Sequence, residues 1–380
     1  MGMAQTLFNI DDDGAEHSRG HSTGILPASQ LRAMMQRGRL VALKEIEEGQ
    51  IQPASLDLRL GSVAWRIRAS FLPGPNSTVK SRIDQLALHQ IDLTKGAVFE
   101  AGCVYIVPLL ESVALPSRMS GVANPKSSTG RLDVFTRLIT DNAKEFDRIE
   151  PGYEGPLYAE VSPRSFSILV REGSRLNQLR LRRGSPSFSD ADLRKLQAEQ
   201  GIVAGDADIS DGIALTVDLR GAGWKELIGY RAKRHAGLID VDKPGIHDVG
   251  DFWEPIKARN DGTMVLDPNE FYILASREAV SIPPEYAAEM VPYNPLVGEF
   301  RVHYAGFFDP GFGYSGAGGS GSRAVLEVRS HEVPFILSHG QIIGRLVFER
   351  LTEPPERVYG QGIGSNYQAQ GLKLSKHFKV

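Results

Sequence analysis

The chain of 380 residues carries one pattern twice, and no other feature limits its fold so strongly. I-Q-P-A-S-L-D-L-R-L-G begins at Ile51, and G-I-A-L-T-V-D-L-R-G begins at Gly212. V-Y-I-V-P-L-L-E-S-V-A-L-P from Val104 is echoed by F-Y-I-L-A-S-R-E-A-V-S-I-P from Phe271. Ala123-Asn124-Pro125 is answered by Tyr293-Asn294-Pro295, and Glu150-Pro151-Gly152-Tyr153 by Asp309-Pro310-Gly311-Phe312. Tyr158-Ala159-Glu160-Val161 is matched by Val325-Leu326-Glu327-Val328. A repeat of about 150 to 200 residues has the size of one domain, so two copies of one unit are expected. Only the first copy follows its Asn-Pro with Lys126-Ser127-Ser128-Thr129-Gly130-Arg131. The chemically telling residues are therefore divided, which points to a site assembled between the copies.

Each copy opens on a helical pattern and continues in short alternating runs. Leu26 to Arg39 puts Leu31, Met34, Met35 and Leu40 on one face, with Ser29 as a candidate cap. Ser189 to Gln200 repeats it, with Ser189 or Asp190 as cap. In S-L-D-L-R-L, Leu56, Leu58 and Leu60 share one face and Asp57 and Arg59 the other. With 40 Gly and 22 Pro breaking such runs, the chain is expected to be mainly β, closed as a jelly roll or barrel rather than a doubly wound sheet. The turn-rich Gly184-Ser185-Pro186-Ser187 marks the boundary. The expected division is a disordered tail over 1–23, a first repeat over 24–184, a second over 185–351 and a C-terminal segment over 352–380. Copy one carries an insertion at Asp141–Asp147. Copy two carries Tyr314–Ser322, expected as a mobile hairpin loop.

Composition excludes several classes. A net charge of −3 supplies no global field for nucleic acid. No apolar run approaches a membrane span, so no membrane partner is expected, and no signal peptide opens the chain. A single cysteine, Cys103, rules out a disulfide framework and suggests a cytoplasmic protein, with Cys103 expected as a core thiol. The zinc nucleobase deaminases use H-x-E with P-C-x-x-C. Neither occurs here, so a deamination by this chain is expected to run without zinc, and no protein metal ligands are expected.

Lys126–Arg131 is the sharpest local signal. Small hydroxylated residues followed by Gly let backbone N–H groups form a concavity for phosphate oxygens, and Arg131 adds a bidentate fork. The segment is not a Walker A motif, and a plain polar turn is the alternative. Glu327 sits in an apolar strand: buried, it carries protons near neutrality; otherwise it shares a solvated face with Val325 and Arg329. Glu160 has the same ambiguity. Asp309 reads as a turn residue and His303 as an ordinary histidine. The Gly-, Gln- and Tyr-rich segment around Tyr359, Tyr367 and Gln370 is either a lid or a ragged end.

Taken together, these motifs resemble the deoxycytidine triphosphate deaminases, which share a fold with the trimeric deoxyuridine triphosphatases. The resemblance rests on residues 51–61, 126–131, 308–312 and 324–328 and on the Tyr359/Tyr367/Gln370 segment. The usual member is about half this length, so the chain resembles a fused, duplicated form. The resemblance implies a dUTPase-like, β-clip fold of tandem distorted β-rolls, each with a short N-terminal helix. It also implies a homo-oligomer on threefold or pseudo-threefold contacts. Ser127 and Arg131 match the catalytic serine and arginine, and Lys126 and Ser128 the phosphate contacts. Ala305 matches the alanine whose carbonyl holds the attacking water, and Glu327 or Glu160 the proton-shuttling glutamate. Tyr359, Tyr367 and Gln370 match a closing lid, although Asn366 stands where the family usually has Lys.

In copy two, Leu296-Val297-Gly298-Glu299 replaces the phosphate segment and sets a carboxylate near the Arg131 position. The implied site is composite: phosphates on copy one, base on copy two, lid from the C-terminal segment. The activity implied is hydrolysis of dCTP to dUTP and ammonia, with Mg²⁺ carried on the triphosphate. A dUTP pyrophosphatase or a bifunctional enzyme is the alternative, and a non-catalytic nucleotide-binding regulator the third reading.

Overall fold

A computed structural model describes residues 21–221, 226–292, 300–302, 306–317, 321–330, 332–360 and 371–379. It is mainly β. In the first half, the Arg175–Arg183 strand pairs with Met119–Pro125 and with Leu56–Arg59, and Arg148–Ile149 extends that sheet. A second sheet runs Ala87–Asp92, Val63–Ile67, Val104–Ala114, Glu154–Pro163, Val134–Thr140. The second half repeats both orders. Ile213–Thr216, Ile342–Arg350, Tyr286–Pro292 and Phe307–Phe308 form one sheet. Trp253–Lys257, Leu227–Ala232, Phe271–Val280, Ser322–Ser330 and Phe300–Val302 form the other.

The alternation that forms Leu56–Arg59 buries more than its leucines. Leu56, Leu58 and Leu60 are sealed in the core, but Asp57 and Arg59 on the opposite face are buried too. Each is matched by a charge: Arg59 Nε donates to Glu111 Oε1 at 2.8 Å, and Asp57 pairs with Lys126. A buried charge is tolerated only with such partners. The polar positions of this strand therefore fix its neighbours as firmly as the leucines do.

The two opening helices differ in how they start. Ser189 caps Asp190–Gln200 in a capping box with Asp192, burying Leu193 and Leu196. The first helix, Ala28–Gln36, follows Pro27 and has no side-chain cap. The candidate cap Ser29 instead lies inside its first turn and donates to Glu353 Oε1 at 2.6 Å. Cys103 also departs from expectation: it is half-buried just before the Val104–Ala114 strand rather than sealed in the core. In the 314–322 segment, Ser315–Ala317 forms a 3₁₀ turn, and residues 318–320 lie outside the described residues.

The halves are interlocked rather than merely tethered. Ile168–Leu169 of the first half pairs in parallel with Ile239–Asp240 of the second. The first-half core takes in Phe252, Trp253, Phe271 and Val325, together with Leu374 and Phe378 from the C-terminal segment. Arg180, with a fully buried side chain, donates to Ala288 O at 3.2 Å and Asp309 Oδ1 at 3.3 Å, and stacks over Phe307. Arg182 reaches Glu289 and Glu349. Among the described residues, no helix is long and apolar enough to cross a membrane.

Candidate active site

Lys126 leaves the Met119–Pro125 strand extended, and the next residues, Ser127–Gly130, wind into one helical turn. Small residues allow so tight a turn against the sheet. Gly130 N donates to Lys126 O at 2.9 Å and Arg131 N to Ser127 O at 3.1 Å. These bonds leave the first N–H groups of the turn, on Ser127 and Ser128, outside its own ladder. Arg131 is nearly buried and its Nη1 donates to Lys373 O at 2.8 Å. The hydroxyl of Ser375 donates to Ser128 O at 2.7 Å. The C-terminal segment thus braces the turn from behind.

Glu327 comes from the second half, on the Ser322–Ser330 strand, and is only 6% exposed. The solvated-face alternative is therefore set aside. Its carboxylate lies against the Gly130 backbone, where an added Cβ would fall 3.0 Å from Oε2. Burial pushes the Glu327 carboxyl up to about 8, with Arg131 opposing the shift and Asp133 adding to it. Asp133 adopts a left-handed backbone, φ 57°, and pairs with Arg329 while accepting from Ser165 Oγ at 2.6 Å. A carboxyl so placed holds and releases a proton near neutral pH.

These groups face one cavity of about 480 Å³. The first half contributes Lys126, Ser127, Ser128, Arg131 and Arg175; the second contributes Phe308, Asp309 and Glu327. Tyr359 and Lys376 enter from the C-terminal segment. Tyr359 N donates to Pro310 O at 2.7 Å and its ring packs on Phe312, centroids 5.8 Å apart. Asp309 was expected as a turn residue; it also faces the cavity, tied to Arg180. Ala305, Tyr367, Gln370, His303, Glu299 and Asn366 lie outside the described residues.

The N-terminal-domain model of the 2'-deoxycytidine 5'-triphosphate deaminase (DCD) family matches residues 22–185, and its C-terminal-domain model matches residues 189–378. The chain belongs to this deaminase family. A solved structure described as 2'-deoxycytidine 5'-triphosphate deaminase from Agrobacterium tumefaciens is 60% identical, with a TM-score of 0.84. It covers 87% of this chain and 100% of that one. A "dCTP deaminase, dUMP-forming" of Beutenbergia cavernae is 31% identical over 151 residues, 38% of this chain and 74% of that protein. A "dCTP deaminase" of Haloarcula marismortui is 32% identical over 197 residues, 50% of this chain and 93% of that protein.

Within this deaminase-family chain, the repeat counterpart of Glu327 has a different environment. Glu160 is 2% exposed, and burial raises its carboxyl while the Ser70 hydroxyl and Phe71 N–H hold it down. Phe71 and the Val79–Leu86 helix join Ile106, Ile139 and Ala143 in an apolar cluster, with Phe146 packed against it. Arg137 stacks on Phe135 and Phe146, 4.7 and 4.6 Å from the ring centroids. The 141–147 insertion thus supplies Ala143 and Phe146 to a plug. Glu160 does not line the cavity that holds Glu327.

Sequence reasoning missed three groups that line the cavity, Arg175, Asp242 and Lys376, and Arg180, which holds Asp309 from behind. Arg180 alternates with leucines in R-L-N-Q-L-R-L-R-R, which was a usable signal of a buried charge seeking a partner.

Proposed function

We propose that the chain hydrolytically deaminates dCTP to dUTP and ammonia. One observation carries this: a buried, proton-holding Glu327 of the second half sits against the Ser127–Gly130 turn of the first, in a cavity with Arg131 and Lys126. The triphosphate lies along Lys126, Ser127, Ser128 and Arg131, and the cytosine lies toward Glu327 and Phe308. Protonated Glu327 gives its proton to N3 of cytosine, and the resulting carboxylate takes one from water. The hydroxide adds to C4 and the C4–N π bond opens. Glu327 then carries a proton to the amino group and accepts the one leaving the hydroxyl as ammonia departs and C4=O forms. Arg131 and Ser127 stabilise and orient the reacting groups. Ala305 C=O holds the water, and Tyr359, Tyr367 and Gln370 close over the nucleotide.

Mg²⁺ enters as part of the substrate. The phosphate end of the cavity offers cations and hydroxyls, a donor set that suits a metal held by phosphate oxygens rather than by the protein. Bound there, the ion lowers the charge of the triphosphate. The residues perform the deamination steps above without zinc.

The architecture proposed is two tandem β-rolls over 24–184 and 185–351 with a closing segment over 352–380. Both halves of the site come from one chain, and copies associate through threefold or pseudo-threefold contacts in a cytoplasmic enzyme. Ammonia release from dCTP tests the reading. Glu327→Gln abolishes it and Glu160→Gln retains most of it; equal loss in both variants defeats the single composite site. A second reading, in which dUTP is hydrolysed further, is favoured by the dUMP-forming names of similar proteins. Product analysis separates them: dUTP alone, or dUMP with pyrophosphate.

A further inference from the structure

We infer that Asp133 is a positioning residue for Glu327, holding it through Arg329 across the two halves, a role that rests on the reading of Glu327 as the proton carrier. Asp133 closes the Ser127–Gly130 turn, its N–H donating to Gly130 O at 2.9 Å. Its backbone is left-handed, φ 57°, a conformation that glycine adopts freely and aspartate at some cost. The side chain, rather than the backbone, therefore accounts for the residue. The carboxylate is sealed, at 1% exposure, and pairs with Arg329. Ser165 Oγ donates to it at 2.6 Å and accepts from Arg329 Nη2 at 3.3 Å, so the three groups close a triangle. Arg329 is held further by Asn269 O and by the Phe271 ring, 5.9 Å from its centroid.

Glu327 and Arg329 are alternate residues of the Ser322–Ser330 strand, so their side chains leave the same face. On that face Asp133 grips one and Gly130 touches the other. A slip of the strand against the turn would break the buried ion pair as it displaced the Glu327 carboxyl, and stranding either partner of such a pair is costly. Charge acts beside geometry. Among the described residues, Arg131 and Asp133 face the Glu327 carboxyl with opposite signs. Arg301, on the Phe300–Val302 strand, is the register partner of Arg329. The Asp133 anion disfavours a second anion nearby and so keeps the proton on Glu327 to higher pH. Neutralising Asp133 alone removes that effect and leaves the Arg329 cation without its carboxylate; both changes favour loss of the Glu327 proton.

The pH profile of dCTP turnover, beside infrared difference spectra of Glu327 protonation (each protein against its Glu327→Gln counterpart), tests the assignment. Asparagine fits a left-handed backbone and still accepts from Arg329, so Asp133→Asn removes the charge with little change of shape. It is expected to move the alkaline limb of kcat, and the infrared midpoint, down by about half a pH unit or more. Below that limb kcat should fall by about threefold to tenfold, with KM for dCTP within about twofold. Asp133→Asn/Arg329→Gln, which also removes the stranded cation, should bring the midpoint partway back. It still titrates below native, so it carries the test if the single variant does not fold. An unmoved midpoint in Asp133→Asn overturns the proposal, as does a double variant at or below the single. A loss of kcat that follows the melting temperature, with the limb in place, overturns it too. A midpoint that shifts as expected, in a protein that releases no ammonia from dCTP, upholds the role of Asp133 and rejects the deamination reading.

Discussion

Glu327 and Gly130, nearly two hundred positions apart, touch so closely that a methyl group on Gly130 would meet the Glu327 carboxylate at 3.0 Å. The glycine is required by its neighbour rather than by its own backbone. Gly130→Ala should shift the carboxylate by a few tenths of an ångström and lower kcat by up to about tenfold, since misplacement near 1 Å costs on the order of a hundredfold. The melting temperature should move little, since the displaced group is the far end of a flexible side chain. Steady-state kinetics beside a thermal melt checks both halves; native kcat in the variant refutes the contact's importance.

The raised Glu327 carboxyl makes stability depend on pH with a defined sign. The unfolded chain releases this proton near the ordinary 4.5, the folded protein near 8. Between those values the folded state binds more protons, so Glu327 costs stability progressively as pH rises. Glu327→Gln should therefore melt above the native protein at pH 8, with the difference vanishing toward pH 4.5. Native kcat should fall above pH 8 as the proton needed by the base is lost. A melting difference independent of pH would contradict the burial argument.

Arg180 and Asp309 offer a double-mutant cycle across the two halves. Arg180→Met leaves Asp309 buried beside an apolar side chain and should destabilise by about 3–5 kcal/mol. Adding Asp309→Asn should recover a substantial part. Denaturant titration measures the coupling, and strict additivity would show that the pair is not energetically joined.

Phe378 tests whether the C-terminal segment is only a lid. It is 3% exposed and packs on Phe252, Trp253 and His247. Phe378→Ala should cost about 3–5 kcal/mol, the range for emptying a core aromatic position. A truncation at residue 371 should consequently lose stability as well as turnover. A melting temperature equal to native would restore a purely kinetic role.

Much of this was legible in the sequence because it is written locally. The motifs of the repeat, the strand alternation, the Ser189 cap and the Ser127–Gly130 turn each lie within a few consecutive residues. Glu327 was legible as an ambiguity only, since alternation cannot say which face of a strand is covered. Arg180 with Asp309, or Lys376 beside Lys126, depends on which distant strands meet, and no periodicity encodes that. Ser29 failed as a cap because the helix starts one residue earlier, after Pro27, which leaves its hydroxyl to donate to the distant Glu353. Glu160 was separable from Glu327 only once Phe71 and the Val79–Leu86 helix were seen to fill the space beside it.

The bonds that brace the Ser127–Gly130 turn span 242 residues from Arg131 to Lys373 and 247 from Ser375 to Ser128. Loops of that length close late, and topologies dominated by them fold slowly. During refolding, strand structure should therefore return before activity does, and catalytic competence should follow the slowest phase alone. A partly folded chain of this design has sheets but no site.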